Sequence, residues 1–139
     1  MKKIVALVLI IALLATTKSS QAQQKAKWNE LEAFHDVMGK TFHSAEEGKL
    51  EPIKNHSKDL VEKAIAWKNS TAPAGYDKAA IEKSLKRLVK EAKELDKMVK
   101  ARSPDTSIKE KLSGLHDTFH EIMEKCEKED YIERIKEPE

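Results

Sequence analysis

Apolar residues recur along most of the chain at three- and four-residue spacing, which is the period of one face of an α-helix. Segments rich in polar residues, glycine or proline interrupt this pattern at residues 44–48, 70–75 and 103–105. They leave four amphipathic runs. The positions expected to face a common core are Leu31, His35, Met38 and Phe42; Ile53, Leu60, Ala64 and Trp67; Ile81, Leu85, Leu88, Ala92, Leu95 and Val99; and Ile108, Leu112, Leu115, Phe119, Ile122 and Cys126.

The four runs predict four helices with short connections. We expect helices at about residues 27–43 and 51–69, a third that starts after Asp77, and a fourth after the break at residues 103–105. Asp77 is a favourable N-cap for the third helix. Because short loops make consecutive helices antiparallel, the sequence predicts an all-α, up-and-down antiparallel four-helix bundle over residues 23–139. The first and last helices are then neighbours.

The beginning of the chain has the features of a secretory signal peptide. Lys2 and Lys3 precede a short apolar run at residues 4–15, and small residues stand at the two cleavage-site positions, Ser20 and Ala22. We expect cleavage after Ala22, so that residues 1–22 are removed and the protein is periplasmic or secreted. The apolar run is too short for a membrane span, so none is expected in the mature form.

The predicted leader carries the positive excess of the chain. It contains Lys2, Lys3 and Lys18 and no acidic residue, which leaves 23 of the 26 basic residues against 24 acidic ones, a net charge of about −1 with neutral histidines. This balance gives no electrostatic basis for nucleic-acid binding. The single cysteine, Cys126, cannot form an internal disulfide.

Four of the five histidines fall in two short segments, one in the first predicted helix and one in the last. His35 occupies a predicted core position, and the four-residue spacing of His116 and His120 places both rings on one helix face. At 1.5 Å per residue, these three lie at a similar depth in an antiparallel pair of helices, with Met38 close by. His43 lies nearer the end of the first helix.

This arrangement predicts a metal site, because imidazole is the commonest metal ligand in proteins. Zinc and copper sites take three or four nitrogen or sulfur ligands, and the histidine cluster offers that number. The predicted ligands are His35, His116, His120 and His43, for a transition metal ion such as Cu, Zn or Fe. The Irving–Williams order favours Cu(II). His56 lies off the apolar stripe and is expected at the surface.

Each of these residues also has a structural interpretation. A buried His35 can be satisfied by a backbone carbonyl or an acid. His43 can interact with the dipole at a helix C-terminus, and His116 and His120 can pack as an amphipathic pair between helices. Met38 is of a type that commonly fills irregular space in cores.

Other catalytic and metal patterns receive less support. Glu32-x-x-His35 and Asp117-x-x-His120 have the spacing of di-iron bundles, but those also use a glutamate from each of the two other helices. No core-facing glutamate is evident there. No nucleophile–base pair or paired carboxylate stands out either, so we expect a binding protein and not an enzyme.

Two segments resemble the periplasmic cytochrome b562 family, which also combines a leader with a small four-helix domain. Residues 30–35, Glu-Leu-Glu-Ala-Phe-His, resemble its first-helix segment, with His35 where the axial methionine stands. Residues 112–120 resemble its last-helix segment, with His120 at the axial histidine. The resemblance implies haem b held by His120 and by His35 or Met38. No Cys-x-x-Cys-His motif is present, which excludes covalent c-type attachment.

The sequence thus predicts an exported four-helix bundle that binds a transition metal ion or haem between its first and last helices, for electron transfer or metal handling. The alternative is a cofactor-free structural, interaction or stress-response bundle with structural histidines. Heptad-like helix faces can also pair between chains, which leaves a homodimer open.

Overall fold

The structure, a computed structural model, describes the backbone of residues 26–136 and the side chains of residues 26–126. It contains the helices α1 (Asn29–Glu46), α2 (Glu51–Asn69), α3 (Lys78–Lys100) and α4 (Asp105–Lys136). Residues 26–136 contain no strand, so the all-α prediction is confirmed. The predicted leader, residues 1–22, lies outside the described residues.

The helices form the predicted four-helix bundle. Each helix packs against the next in the chain, and α4 returns to α1. The backbones of α1 and α4 come close to each other at fewer positions than those of consecutive helices. No helix within residues 26–136 has an apolar stretch long enough to cross a bilayer.

The predicted core positions of the last three helices are confirmed. Those of α2 and α4 are all buried, as are those of α3 as far as Leu95, and Val99 is partly buried. The rings of Phe34, Trp67 and Phe119 meet among them, with centroids 5.7, 5.8 and 6.0 Å apart. Burying such large side chains contributes about 1.5–3 kcal/mol each and fixes the helices around one core.

The predicted core face of α1 is wrong at His35. Leu31 and Met38 are buried as expected, but Phe34 is the buried residue between them and His35 is exposed. With 3.6 residues per turn, either residue 34 or residue 35 can share the inner face of the helix with residues 31 and 38. The more apolar phenylalanine gains more free energy from burial, so α1 turns its Phe34 side inward.

The same rotation of α1 buries Thr41 and leaves Phe42 only partly buried at the edge of the core. The Thr41 hydroxyl lies 2.9 Å from the carbonyl oxygen of Val37 and 3.1 Å from that of Met38. A hydroxyl that donates back to its own helix is satisfied without an outside partner, which makes the burial of Thr41 inexpensive. Phe42 is therefore available to contact α4.

α1 extends beyond its predicted end to Glu46 and terminates at a glycine. Gly48 has a φ of 81°. Its N–H donates to the carbonyl of Ala45 at 3.0 Å, and the N–H of Lys49 donates to that of Ser44 at 2.8 Å. These paired bonds form a Schellman C-cap. The additional helical residues carry His43 into the last turn of α1.

Candidate metal site

Aromatic and histidine side chains line the seam between α1 and α4. On α1, positions 35, 39 and 42 are separated by four and three residues and so share one helix face. Rings from that face stack on rings from α4. We call this surface the α1–α4 groove. Its residues are His35, Gly39, Phe42, His43, His116, Phe119 and His120.

His116 and His120 form a close pair on the α4 side of the groove. Their Nε2 atoms lie 3.2 Å apart, and their ring planes meet at 78° with centroids 4.4 Å apart. The four-residue spacing on one helix face produces this approach. In the absence of a metal ion, one neutral ring can donate its Nε2–H to the other ring.

The spacing of the two Nε2 atoms also matches that of two ligands of one metal ion. Two nitrogens about 2.0–2.1 Å from zinc, at a tetrahedral angle, lie about 3.3 Å apart. Adjacent ligands of a square-planar ion at that bond length would lie about 2.9 Å apart. The observed 3.2 Å is closer to the tetrahedral value, so the two Nε2 atoms are near enough to each other to reach one ion.

The ring of His116 is held against α1 by Phe42. The two rings stack with centroids 3.7 Å apart and planes inclined by 7°. Burial, and then the neighbouring His120, lower the pKa of His116 below its ordinary value of 6.5, while the charges of Asp117 and Glu46 oppose that change. The neutral ring that a metal requires is thus favoured.

The structure places His35 in the same groove but not in the histidine pair. His35 is exposed, and its ring stacks on Phe119 with centroids 5.2 Å apart and planes inclined by 10°. Phe119 in turn meets the ring of His120 edge-on at 5.7 Å. The expectation of a core-facing ligand at His35 is therefore corrected to a solvent-facing ring that packs on α4.

The remaining predicted ligands also lie apart from the pair. His43 is exposed in the last turn of α1, and its Nδ1 lies 3.1 Å from Oε2 of Glu46. Met38 is fully buried in the core, as its structural interpretation predicts. The predicted surface residue His56 is exposed on α2, with Nδ1 2.7 Å from Oδ2 of Asp59.

The full set of four predicted metal ligands is not assembled. Within the part of the chain that the structure describes, no three His, Cys, Asp or Glu side chains are grouped closely enough to hold one metal ion. What one chain offers is the pair His116 and His120. This pair is accessible, because His120 is exposed and His116 is half-buried.

The surroundings of His35 and His120 do not fit a haem between α1 and α4. Axial ligands must face each other across the macrocycle, whereas His35 lies flat against the ring of Phe119. Phe34 and Met38, on the inner face of α1, are fully buried.

Two groove residues have no site role in the sequence analysis. The pattern places Phe42 in the core, whereas it supports the ring of His116. Gly39 lies between His35 and Phe42 on the α1 face, and a Cβ added to it would meet no atom within 4 Å. The spacing of Gly39 and Phe42 signals their shared face, but the stacking depends on how closely α4 approaches, which local sequence does not specify.

Comparison of the chain with protein-family models, with curated proteins and with solved structures gives no match. The resemblance to cytochrome b562 proteins therefore stays an expectation.

Proposed function

We propose that this protein binds a divalent transition metal ion through His116 and His120 and takes part in metal handling. The observation that carries the proposal is the 3.2 Å separation of the two Nε2 atoms. The lowered pKa of His116, caused first by burial, supports it because metal ions bind the neutral ring. The exposure of His120 gives an ion access to the pair.

Zinc is the ion whose tetrahedral geometry suits this spacing best. Cu(II) stands higher in the Irving–Williams order and binds a given nitrogen site more tightly, so it is the main competitor, and Fe(II) stands below both. A bare ion is better supported than haem b, because His35 stacks on Phe119 in place of facing His120 across an open slot. The leader-like pattern of residues 1–22 supports metal handling outside the cytoplasm.

A second candidate function is a cofactor-free structural or interaction bundle. The stacks of His116 on Phe42 and of His35 on Phe119 favour it, since both join α1 to α4. In that case the His116–His120 contact is a hydrogen bond between rings, and the histidines contribute only to packing. The two candidates differ in whether a metal ion binds.

Competition with a chromophoric chelator, in protein without a histidine tag, tests the proposal with Zn²⁺ and Cu²⁺ in turn. We expect His116→Ala and His120→Ala each to weaken Zn²⁺ binding by more than about tenfold, since loss of even an outer-shell partner of a ligand costs 10–100-fold. His56→Ala is the matched control. That exposed histidine lies on α2, outside the groove, and pairs with Asp59 of the same helix.

His35→Ala separates the groove geometry from the ligand set predicted by sequence. We expect this variant to bind Zn²⁺ as the unaltered protein does, because the ring of His35 in the unaltered protein stacks on Phe119 and does not join the pair. Equal affinities in the His116, His120 and His56 variants would reject the proposal. Absence of binding together with lower stability of His116→Ala would establish the cofactor-free candidate.

A further inference from the structure

The histidine pair supplies only half of a zinc coordination shell. Structural zinc sites are almost always four-coordinate, and His116 and His120 supply two nitrogens. Within residues 26–126 no third His, Cys, Asp or Glu joins them. An ion held as proposed above would therefore need its other ligands from solvent or from another molecule.

The groove leaves the pair open to a second macromolecule. His120 is exposed, and a Cβ added at Gly39 of α1 would meet no atom within 4 Å. The residues just outside the pair on α4, Asp117 and Glu124, are exposed and hydrophilic. A ligand that approaches from outside therefore meets no covering element in the described part of the chain.

We propose that a second copy of this chain completes the site, so that one Zn²⁺ bridges His116 and His120 of two molecules. Two equivalent pairs supply four imidazole nitrogens, which is a complete tetrahedral shell. A two-fold axis through the ion makes the interface isologous, so each copy presents the same groove to the other. This inference rests on the proposed zinc binding by the pair.

Charge at this face makes the association depend on the metal. Glu46 on α1 and Asp117 and Glu124 on α4 are exposed. The negative charges of Glu46 and Asp117 both act on His116. Two copies brought together at their grooves therefore repel each other, and a bridging divalent cation offsets that repulsion as well as joining the rings.

Sedimentation equilibrium during a Zn²⁺ titration tests the bridge, with bound zinc measured on the same samples. We expect a monomer in chelator, a doubled mass that is most abundant at one Zn²⁺ per two chains, and a return toward monomer in excess Zn²⁺. The return is expected because each pair can then hold its own ion with water as the other ligands. His120→Ala should stay monomeric throughout, and His56→Ala should dimerise like the unaltered protein.

The possible failures of the two proposals are distinguishable. One Zn²⁺ bound per chain at monomer mass over the whole titration, with binding lost in His120→Ala, would overturn the bridge and leave the proposed metal binding intact. Loss of binding in His43→Ala as well would show that the same chain completes the shell. No Zn²⁺ binding at all, or a zinc-dependent dimer that persists in folded His120→Ala, would overturn both proposals.

Discussion

The ring of His116 combines a structural contact with a proposed role as a metal ligand. Its face is covered by Phe42 at 3.7 Å, while its Nε2 lies 3.2 Å from Nε2 of His120. Stacking restricts the rotation of the ring, so one of the two proposed ligands is positioned before an ion arrives. Such preorganisation lowers the entropy cost of binding.

The lowered pKa of His116 predicts a loss of stability in mild acid. Folding holds the pKa below 6.5 through burial first, so the unfolded chain takes up this proton at a higher pH. The contribution of the neutral ring is complete above about pH 6.5 and declines as the pH falls below it. Urea unfolding in chelator at about pH 7.5 and about pH 5 should show a smaller loss of unfolding free energy in His116→Phe, which keeps a planar ring but cannot be protonated.

His116→Phe and the unaltered protein are compared by the stability that each loses between the two pH values. Their absolute stabilities are not compared, because His116→Phe also removes the contact with His120. His56→Phe on α2 is the control for replacing a histidine outside the groove by phenylalanine. Identical losses of stability in His116→Phe and the unaltered protein would contradict the proposed burial of a neutral ring.

At the scale of the elements, two helix ends use the same cap with different residues. The left-handed residue that follows the C-cap is Gly48, with φ 81°, after α1 and Arg102, with φ 52°, after α3. The N–H of Ser103 donates to the carbonyl of Met98, and that of Arg102 to the carbonyl of Val99, each at 3.0 Å. This is again the Schellman pattern. A side chain at a left-handed position costs about 1–2 kcal/mol, which glycine avoids.

We therefore expect Arg102→Gly to raise the free energy of unfolding by about 1 kcal/mol, after the greater flexibility of glycine in the unfolded chain is considered. Gly48→Ala is the reverse change and should lower it by about 1 kcal/mol. Chemical denaturation of both variants measures the effects. A stability loss in Arg102→Gly would show that the arginine side chain contributes more than its backbone strain costs.

At the scale of the whole molecule, polar contacts join α3 to α4 on the side away from α1. Glu121 accepts hydrogen bonds from Lys125 at 2.8 Å and Ser84 at 3.1 Å, and it pairs with Arg87. Arg87 also donates to the hydroxyl of the buried Thr118 at 3.0 Å. These partners, Lys125 first and Arg87 next, lower the pKa of Glu121 to about 2. Charged and polar pairs thus join α3 to α4, whereas stacked rings join α1 to α4.

Glu121→Gln should flatten the acid side of the stability profile. Because folding depresses the pKa of Glu121 from 4.5 to about 2, its contribution is present above about pH 4.5 and is lost as the pH falls toward 2. We expect a cost of about 1 kcal/mol at neutral pH, a modest value because the side chain is 37% exposed and screened by solvent. Urea unfolding between about pH 2 and pH 7 should show the difference from the unaltered protein shrinking in acid.

Glu82→Gln is the matched control for that experiment. Glu82 pairs with Lys86 of its own helix at 2.7 Å and is 53% exposed, so its substitution should have a smaller effect than that of Glu121. Equal effects would show that the link between helices adds nothing to the pairing of charges on one helix.

Most of the bundle follows from local sequence. Apolar spacing identifies α2, α3 and α4, and Asp77 begins α3 as a cap, with its Oδ1 accepting the N–H of Ala79 at 2.9 Å. The side of α1 that faces the core does not follow as directly from the sequence. Either residue 34 or residue 35 can continue the face that carries Leu31 and Met38. Relative burial energy decides between them, and that requires weighing Phe34 against His35.

The site is less predictable than the fold. The His116–His120 approach follows from spacing on one helix, and the structure places the two rings together. The contributions of His35 and His43 depend on the rotation of α1 about its axis and on its distance from α4, which no local pattern determines. Because residue 34 and not residue 35 occupies the core position of α1, His35 is a ring stacked on Phe119 and not the predicted core-facing ligand.

Residue-specific NMR of the histidine rings is the most direct test of the central claim that His116 and His120 bind metal. Long-range ¹H–¹⁵N spectra, recorded in chelator and after addition of Zn²⁺, report on each Nε2 and Nδ1 separately. The account predicts that the Nε2 signals of His116 and His120 move together to metal-bound positions, while no ring nitrogen of His35, His43 or His56 takes a metal-bound position. Unchanged Nε2 signals in His116 and His120 while zinc binds the protein would contradict it.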